Sequence, residues 1–441
     1  MTGAGLAVVT AAEIARIAGV GRAAVSNWRR RCTDFPVPVG GTAASPHFAL
    51  GAVVDWLRGR GRPVSLAPGD EAWLHLDAAR DPARPAAVLT AAGAVLAGDA
   101  GDGLPPATAR LITALGGTLG AGPAFETLLE RWTTAHARTV EVTPAPVAEL
   151  MAALAAGPDG RAPALVLDPA CGTGGLLTAA AAAGAKTVCG QEADVDLAAV
   201  ARIRLQLHHL VDGGLLAAGD SLRRDAHTGL RADAVLLHPP GGQRAWSGAG
   251  HRRDPRWVYG VPPGGEPELA WLQHALAHLA PGGTAVVAMP AAAASRRSGL
   301  AIRAALVRSG ALRAVIALPA TPSVAYQARG AHLWVARPPE ESPAGAGAGS
   351  HLAVDVSGLE PAAARDAVVP VWTALQAGRP LPDGPHHALV PAARLLGDVD
   401  LNPAAHVPGP ALSAEALIAQ RAWHAARIAE IDAALHRETP P

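Results

Sequence analysis

Lysine is almost absent from this chain. Of 37 basic residues among 441, only Lys186 is a lysine, and the rest are arginine. Aromatic side chains are scarce at 3%, so alanine, valine and leucine must fill the interior. An excess of one charge is missing too. Lys+Arg and Asp+Glu both number 37, so no global field draws the chain to nucleic acid or to a membrane. There are three cysteines, Cys32, Cys171 and Cys189. Their number excludes a disulfide scaffold and their spacing is not that of metal ligands, so no metal is expected and a reducing cytoplasm fits best. No run of about 18 or more strongly apolar residues occurs. The nearest, "GLLTAAAAAGA", is alanine-rich and suits a buried helix. The first residues lack a charged n-region, so neither a signal peptide nor a membrane span is expected.

What is present is a chain that is 50% apolar, with 49 glycines and 39 prolines. Four regions separate by composition. Residues 1–64 are basic, with eight arginines against Glu13, Asp34 and Asp55. Residues 65–140 read as a helical segment. Residues 141–345 alternate apolar runs with helical stretches and close in a low-complexity loop over 338–350. Residues 346–441 form a C-terminal extension whose last helix-like piece sets Leu417, Ile428, Ile431 and Leu435 near one face, either for a partner helix or as a cap on its own domain. In the third region, apolar runs fall at 164–167, 187–189, 214–218, 234–237, 284–289, 312–318 and 332–335. Strands alternating with helices predict an open, mostly parallel α/β sheet. Ligands of such sheets bind at the carboxyl ends of the strands.

The stretch "TAAEIARIAGVGRAAVSNWRRRCTDFP" reads as helix, glycine turn, helix. Ile14, Ile17, Val25 and Trp28 form the inner faces. Ser26, Asn27, Arg29, Arg30 and Arg31 are expected to point outward, as on a helix that enters the major groove. The segment resembles the small winged-helix DNA-binding domains of the MerR and excisionase type. Arg58, Arg60 and Arg62 are further phosphate candidates.

The strongest local signal is "ALVLDPACGTGGLL". An apolar strand runs into Asp168, Pro169, Ala170, Cys171, Gly172, Thr173 and Gly174, then a helix. Glycines after a strand let backbone approach a ligand closely. The string resembles motif I of adenine-N6 DNA methyltransferases, above all the modification subunits of type I restriction systems. The resemblance covers about residues 120–405, with gaps. It implies a Rossmann-like S-adenosylmethionine-dependent sheet, preceded here by the helix-turn-helix domain and the helical segment. It also implies double-stranded DNA as substrate and a specificity subunit or restriction partner. By the same resemblance, Thr143 and Pro144 would hold the cofactor's carboxylate and the glycine loop would lie under its methionine part. Glu192, ending the second strand, would accept the ribose hydroxyls. Asp220, ending the third, would face the adenine amino group.

The catalytic tetrapeptide departs from the family. Where members read Asn/Asp-Pro-Pro-aromatic, this chain reads His238-Pro239-Pro240-Gly241. A neutral imidazole offers one acceptor nitrogen, and glycine offers no ring to stack on a flipped base. Trp246, Trp257 or Tyr259 would have to fold back to supply one. In the loop 242–257, Arg244, Arg252, Arg253 and Arg256 either meet DNA backbone or form a solvated loop. Two readings stay open: an adenine-N6 DNA methyltransferase with an altered motif, or an inactive DNA-binding regulator that keeps the fold.

Overall fold

The computed structural model describes residues 8–42, 46–64, 66, 69–100, 103–136, 140–210, 216–241, 253–319, 330–339, 350–395, 399–408 and 421. The expectations on Arg244, Trp246, Arg252 and the tail helix lie outside these residues.

At the N-terminus, β1 (Val8–Val9) leads into α1 (Ala11–Ile17). Thr10 and Glu13 form a capping box there: Glu13 N–H donates to the Thr10 hydroxyl, and Thr10 N–H donates to Glu13 Oε2 at 2.7 Å. This satisfies two N–H groups that a helix end leaves open. The chain turns through Gly19 at φ +63°, a conformation that glycine adopts without strain. It re-enters a helix at α2 (Arg22–Arg31). Val25 and Trp28 are buried, and Ser26, Asn27, Arg29, Arg30 and Arg31 are all exposed. A hairpin of β2 (Pro38–Gly41) and β3 (Pro46–Ala49) follows, with β3 also pairing antiparallel to β1. Helix α3 (Leu50–Gly59) closes the unit by setting Trp56 against Trp28 and Phe35, at 5.5 and 4.9 Å between ring centroids.

Four helices come next: α4 (Asp70–Ala78), α5 (Ala87–Ala97), α6 (Pro106–Leu119) and α7 (Ala121–Ala135). The change of composition at residue 64 is not a break in the interior. One apolar cluster runs from Val9 through Trp73 and Phe125 to Trp132 and takes in Val200 and Leu207 from further along the chain. Asp70 is the polar tie within it. Its carboxylate is fully buried and accepts from Arg16 at 2.9 Å and Arg131 at 2.7 Å. Asp70→Ala leaves two partly exposed guanidiniums without this acceptor. It should lower unfolding stability by roughly 2–3 kcal/mol, less than for a wholly buried pair, as read by denaturant titration.

The rest of the described chain builds one nine-stranded sheet. Its strands are β4 (Leu165–Asp168), β5 (Thr187–Glu192), β6 (Leu216–Ala218), β7 (Ala232–Leu237), β8 (Leu279–Pro290), β9 (Leu312–Ala317), β10 (Ala331–Ala336), β11 (Ser350–Asp355) and β12 (His387–Pro391). Their order is β12-β11-β9-β10-β8-β7-β4-β5-β6. Strand β10 runs antiparallel to both neighbours, and β12 to β11; the other pairs are parallel. Central strands such as β10 are buried along their whole length, because helices cover both faces. On one face lie α8 (Ala145–Ala155), α9 (Gly175–Ala182), α10 (Val195–Leu207) and α13 (Pro361–Gln376). On the other lie α11 (Pro267–Ala277) and α12 (Leu300–Arg308). Each of the seven apolar runs read from the sequence overlaps a strand. The sheet also continues past residue 345, because β11 and β12 pair into it. The chain leaves β4 toward β5 and β6 on one side and reaches β7 and β8 on the other, so a crevice opens at the carboxyl end of β4. Among the described residues, no helix is long and apolar enough to cross a membrane.

Candidate functional site

A cavity of about 420 Å³ occupies that crevice. Its walls come from residues 140–143, the loop 168–173, Glu192, residues 219–221, and His238, Pro240 and Gly241. Asp168 ends β4 with its side chain buried, and Oδ1 accepts the Ala170 N–H at 3.0 Å. Burial pushes its carboxyl up to about 8, and the neighbouring Glu192 carboxylate adds to the rise. Gly172 sits at φ +52°, and a Cβ there would meet nothing within 4 Å. Gly174, at φ +81° and buried, does not line the cavity; a Cβ on it would lie 3.3 Å from Ala201 of α10. The first glycine therefore keeps the cavity floor open, and the second lets α10 approach.

Glu192 ties the glycine loop to β5. Its Oε2 accepts the Gly172 N–H at 2.8 Å and its Oε1 the Asp194 N–H at 2.9 Å. Each oxygen retains a lone pair for a hydroxyl donor. Burial raises its carboxyl above the usual range. Asp220 follows β6, accepts the Leu222 N–H at 3.0 Å and stands 3.4 Å from Arg223. The Ser221 hydroxyl donates to the Pro169 carbonyl at 2.6 Å and locks the β6 loop to the β4 loop. The Cys171 thiol is buried beside Asp168 and Glu192 and is pushed well above its ordinary value, chiefly by burial. It stays protonated and unreactive.

Two contacts join the stretch before α8 to the tetrapeptide. Thr143 Oγ1 lies 2.8 Å from His238 Nδ1, and Glu141 Oε2 accepts the Gly241 N–H at 2.7 Å. Burial holds the His238 imidazole down at about 4, so it is neutral near pH 7. Pro144 is the N-cap residue of α8 and Pro239 is buried; neither lines the cavity. Trp271 of α11 does, with Nε1 buried and no hydrogen-bond partner among the described residues.

The cavity has the character of a small-molecule site. It is floored by an open glycine and rimmed by two acidic acceptors, with one buried donor still to be satisfied. S-adenosylmethionine, with ribose hydroxyls and a cationic methionine end, fits this donor set. Gly172→Val should abolish its binding by filling the floor. At φ +52° the substitution also costs on the order of 1–2 kcal/mol of backbone strain. Calorimetric titration beside a melting curve separates the two effects.

Residues 120–332 match the family model described as N-6 DNA Methylase. Over this segment, just under half of its length, the chain is similar to the N-6 DNA methylase family. The chain is 30% identical over 102 residues to the type I restriction enzyme HindI methylase subunit of Haemophilus influenzae. That match spans 23% of each chain, so the chain aligns with under a quarter of the relative's length. Two solved structures share the fold. One is the type I restriction-modification methyltransferase subunit from Streptococcus thermophilus, at 21% identity, TM-score 0.58 and 68% coverage of both chains. The other is a class I S-adenosylmethionine-dependent methyltransferase, described as putative, from Listeria monocytogenes. It matches at 15% identity and TM-score 0.50, covering 65% of this chain and 91% of its own.

Within residues 120–332 several sequence expectations change. Neither Trp257 nor Tyr259 supplies a stacking ring: Trp257 is buried in the core with Tyr259 packed against it, and neither lines the cavity. Arg256 is turned inward. It grips Asp254, donates to the Ser221 and Leu222 carbonyls, and sits 2.9 Å from His274 Nδ1. Sequence reasoning missed Glu141 and Trp271. It also missed a cluster of Asp225, His274 and His278, whose ligand-type atoms lie within 4.8 Å of one another. His278 Nε2 is 3.0 Å from Asp225, and the Arg256 guanidinium beside His274 sets a fixed positive charge against any cation there.

Proposed function

We propose that this chain transfers a methyl group from S-adenosylmethionine to the N6 amino group of adenine in double-stranded DNA. One observation carries the reading: the acids at the ends of β4, β5 and β6 line a single cavity with His238, Pro240 and Gly241. The cofactor supplies an electrophilic methyl on a sulfonium. Glu192 accepts the ribose hydroxyls, Asp220 faces the adenine ring, and Asp168 with Pro169, Ala170, Cys171 and Gly172 holds the methionine end, while Gly174 acts behind them by seating α10 against the loop. Thr143 orients the His238 imidazole, and being neutral the imidazole does not repel the cationic cofactor. Thr143→Val should therefore slow transfer about tenfold, a loss the size of one hydrogen bond, with cofactor affinity changed less. Single-turnover kinetics beside a binding titration checks this.

The N-terminal unit is proposed as the DNA-binding helix-turn-helix domain, with α2 presenting Ser26, Asn27, Arg29, Arg30 and Arg31 to the major groove and backbone. The turn-linked helices, the exposed arginines and the following hairpin support this. A specificity subunit or restriction partner and a cytoplasmic location complete the proposal. The domain division at 64, 140 and 345 is kept as a description of function, since the cores run across it.

The test is transfer of labelled methyl from S-adenosylmethionine to unmethylated DNA, with His238→Asn run beside the wild type. Transfer by the wild type supports the enzyme. The second reading, an inactive DNA-binding regulator, is favoured by Gly241, which leaves no ring at the tetrapeptide. Its outcome is no transfer with cofactor and DNA binding intact.

A further inference from the structure

We infer that Glu141 is the side chain that receives the target amino group. This rests on the proposed methyl transfer to adenine and names the residue that takes over from the altered motif. In the family pattern, the first tetrapeptide position provides a side-chain oxygen for the amino N–H, and the fourth provides a ring. Here both positions are changed, and both now touch the stretch before α8. His238 is engaged by Thr143. Gly241 gives its N–H to Glu141 Oε2 at 2.7 Å.

The fit between Glu141 and Gly241 is steric as well as polar. A Cβ on residue 241 would lie 2.4 Å from Glu141 Oε1 and 2.8 Å from Oε2. Any side chain at 241, an aromatic above all, displaces this carboxylate. Glycine at 241 and glutamate at 141 are therefore one device, with the carboxylate standing where the ring would begin. Oε2 is held by backbone. Oε1 belongs to an exposed residue on the cavity wall. An ionised carboxylate accepts only, and its hydrogen bonds are stronger than those of a neutral amide. An exocyclic amino group offers two N–H donors and no positive charge, so it suits this acceptor. A charge-assisted hydrogen bond thus replaces a stacking contact as the grip on the flipped base.

The test compares a short single-stranded oligodeoxyadenylate with its 2′-deoxynebularine counterpart, which lacks the amino group. Both are titrated into protein saturated with S-adenosylhomocysteine. The wild type should prefer adenine about tenfold, the effect of one hydrogen bond to a charged group. In Glu141→Gln the amide oxygen keeps the Gly241 N–H and turns its NH₂ toward the base, so donor meets donor. The preference should vanish or reverse, with melting temperature and S-adenosylhomocysteine affinity unchanged. No preference in the wild type, or an equal preference in Glu141→Gln, overturns the inference. If DNA is methylated without that preference, the proposed function stands and Glu141 falls. If the preference holds without methyl transfer, amine recognition stands and the enzyme reading falls.

Discussion

Asp168→Asn is expected to abolish S-adenosylmethionine binding and at the same time to stabilise the empty protein. The two effects have one cause. Asp168 is buried at the end of β4, and its carboxyl is pushed from 3.8 up to about 8 by burial and the nearby Glu192 carboxylate. The native state therefore holds this proton over a pH range where the unfolded chain has released it. Stability falls wherever the native state binds more protons. The Asp168 contribution is thus fully present below about pH 4 and is lost as pH rises to about 8, at up to about 1.4 kcal/mol per pH unit. Asparagine has no proton to lose, and its oxygen still accepts the Ala170 N–H. The variant's melting temperature should exceed the wild type's increasingly from pH 5 to 8. Cofactor binding has the opposite sign. A cationic ligand favours the carboxylate, so affinity should rise with pH up to about 8, and binding below that pH should expel a proton. Calorimetry in buffers of different ionisation enthalpy reads that proton. A wild type and variant with the same pH dependence of melting would contradict the account of Asp168.

Changing Arg29, Arg30 and Arg31 together to alanine should weaken DNA binding roughly a hundredfold near physiological salt. All three are exposed at the end of α2. Arg30 is braced by Asn27 Oδ1 at 2.7 Å, and Arg29 stands 5.6 Å from the centre of the Phe48 ring, so two of the three are pre-oriented. Each lost phosphate contact also removes about one released counterion. The slope of log affinity against log salt should fall by about 0.9 for each contact. Val25 and Trp28 hold the inner face, so melting should be little changed. Fluorescence anisotropy across a salt series gives both numbers. An unchanged slope would remove α2 from the DNA interface.

The sheet was legible because its strands are continuous apolar runs, which is how strands covered on both faces read. Asp168, Glu192 and Asp220 were legible for the same reason: each is the acid at or just past the end of such a run. The far edge of the sheet was not. The low-complexity run before β11 looks like a domain end, yet β11 pairs parallel with β9 beyond it. Glu141 was hidden by distance, a hundred residues from the Gly241 it touches. Its only trace was the absence of a ring at 241. Arg256 misled because a cationic loop residue is ordinarily solvated, whereas here Asp254 and two carbonyls turn it inward.

The most direct test of the central claim is mass spectrometry of nucleosides from the DNA of a host that lacks adenine methylation. Three strains are compared, expressing the wild type, Asp168→Asn or neither. N6-methyldeoxyadenosine is predicted with the wild type alone. Its absence, with the wild-type protein folded and binding both S-adenosylmethionine and DNA, would contradict the enzyme and leave a DNA-binding regulator on a methylase fold.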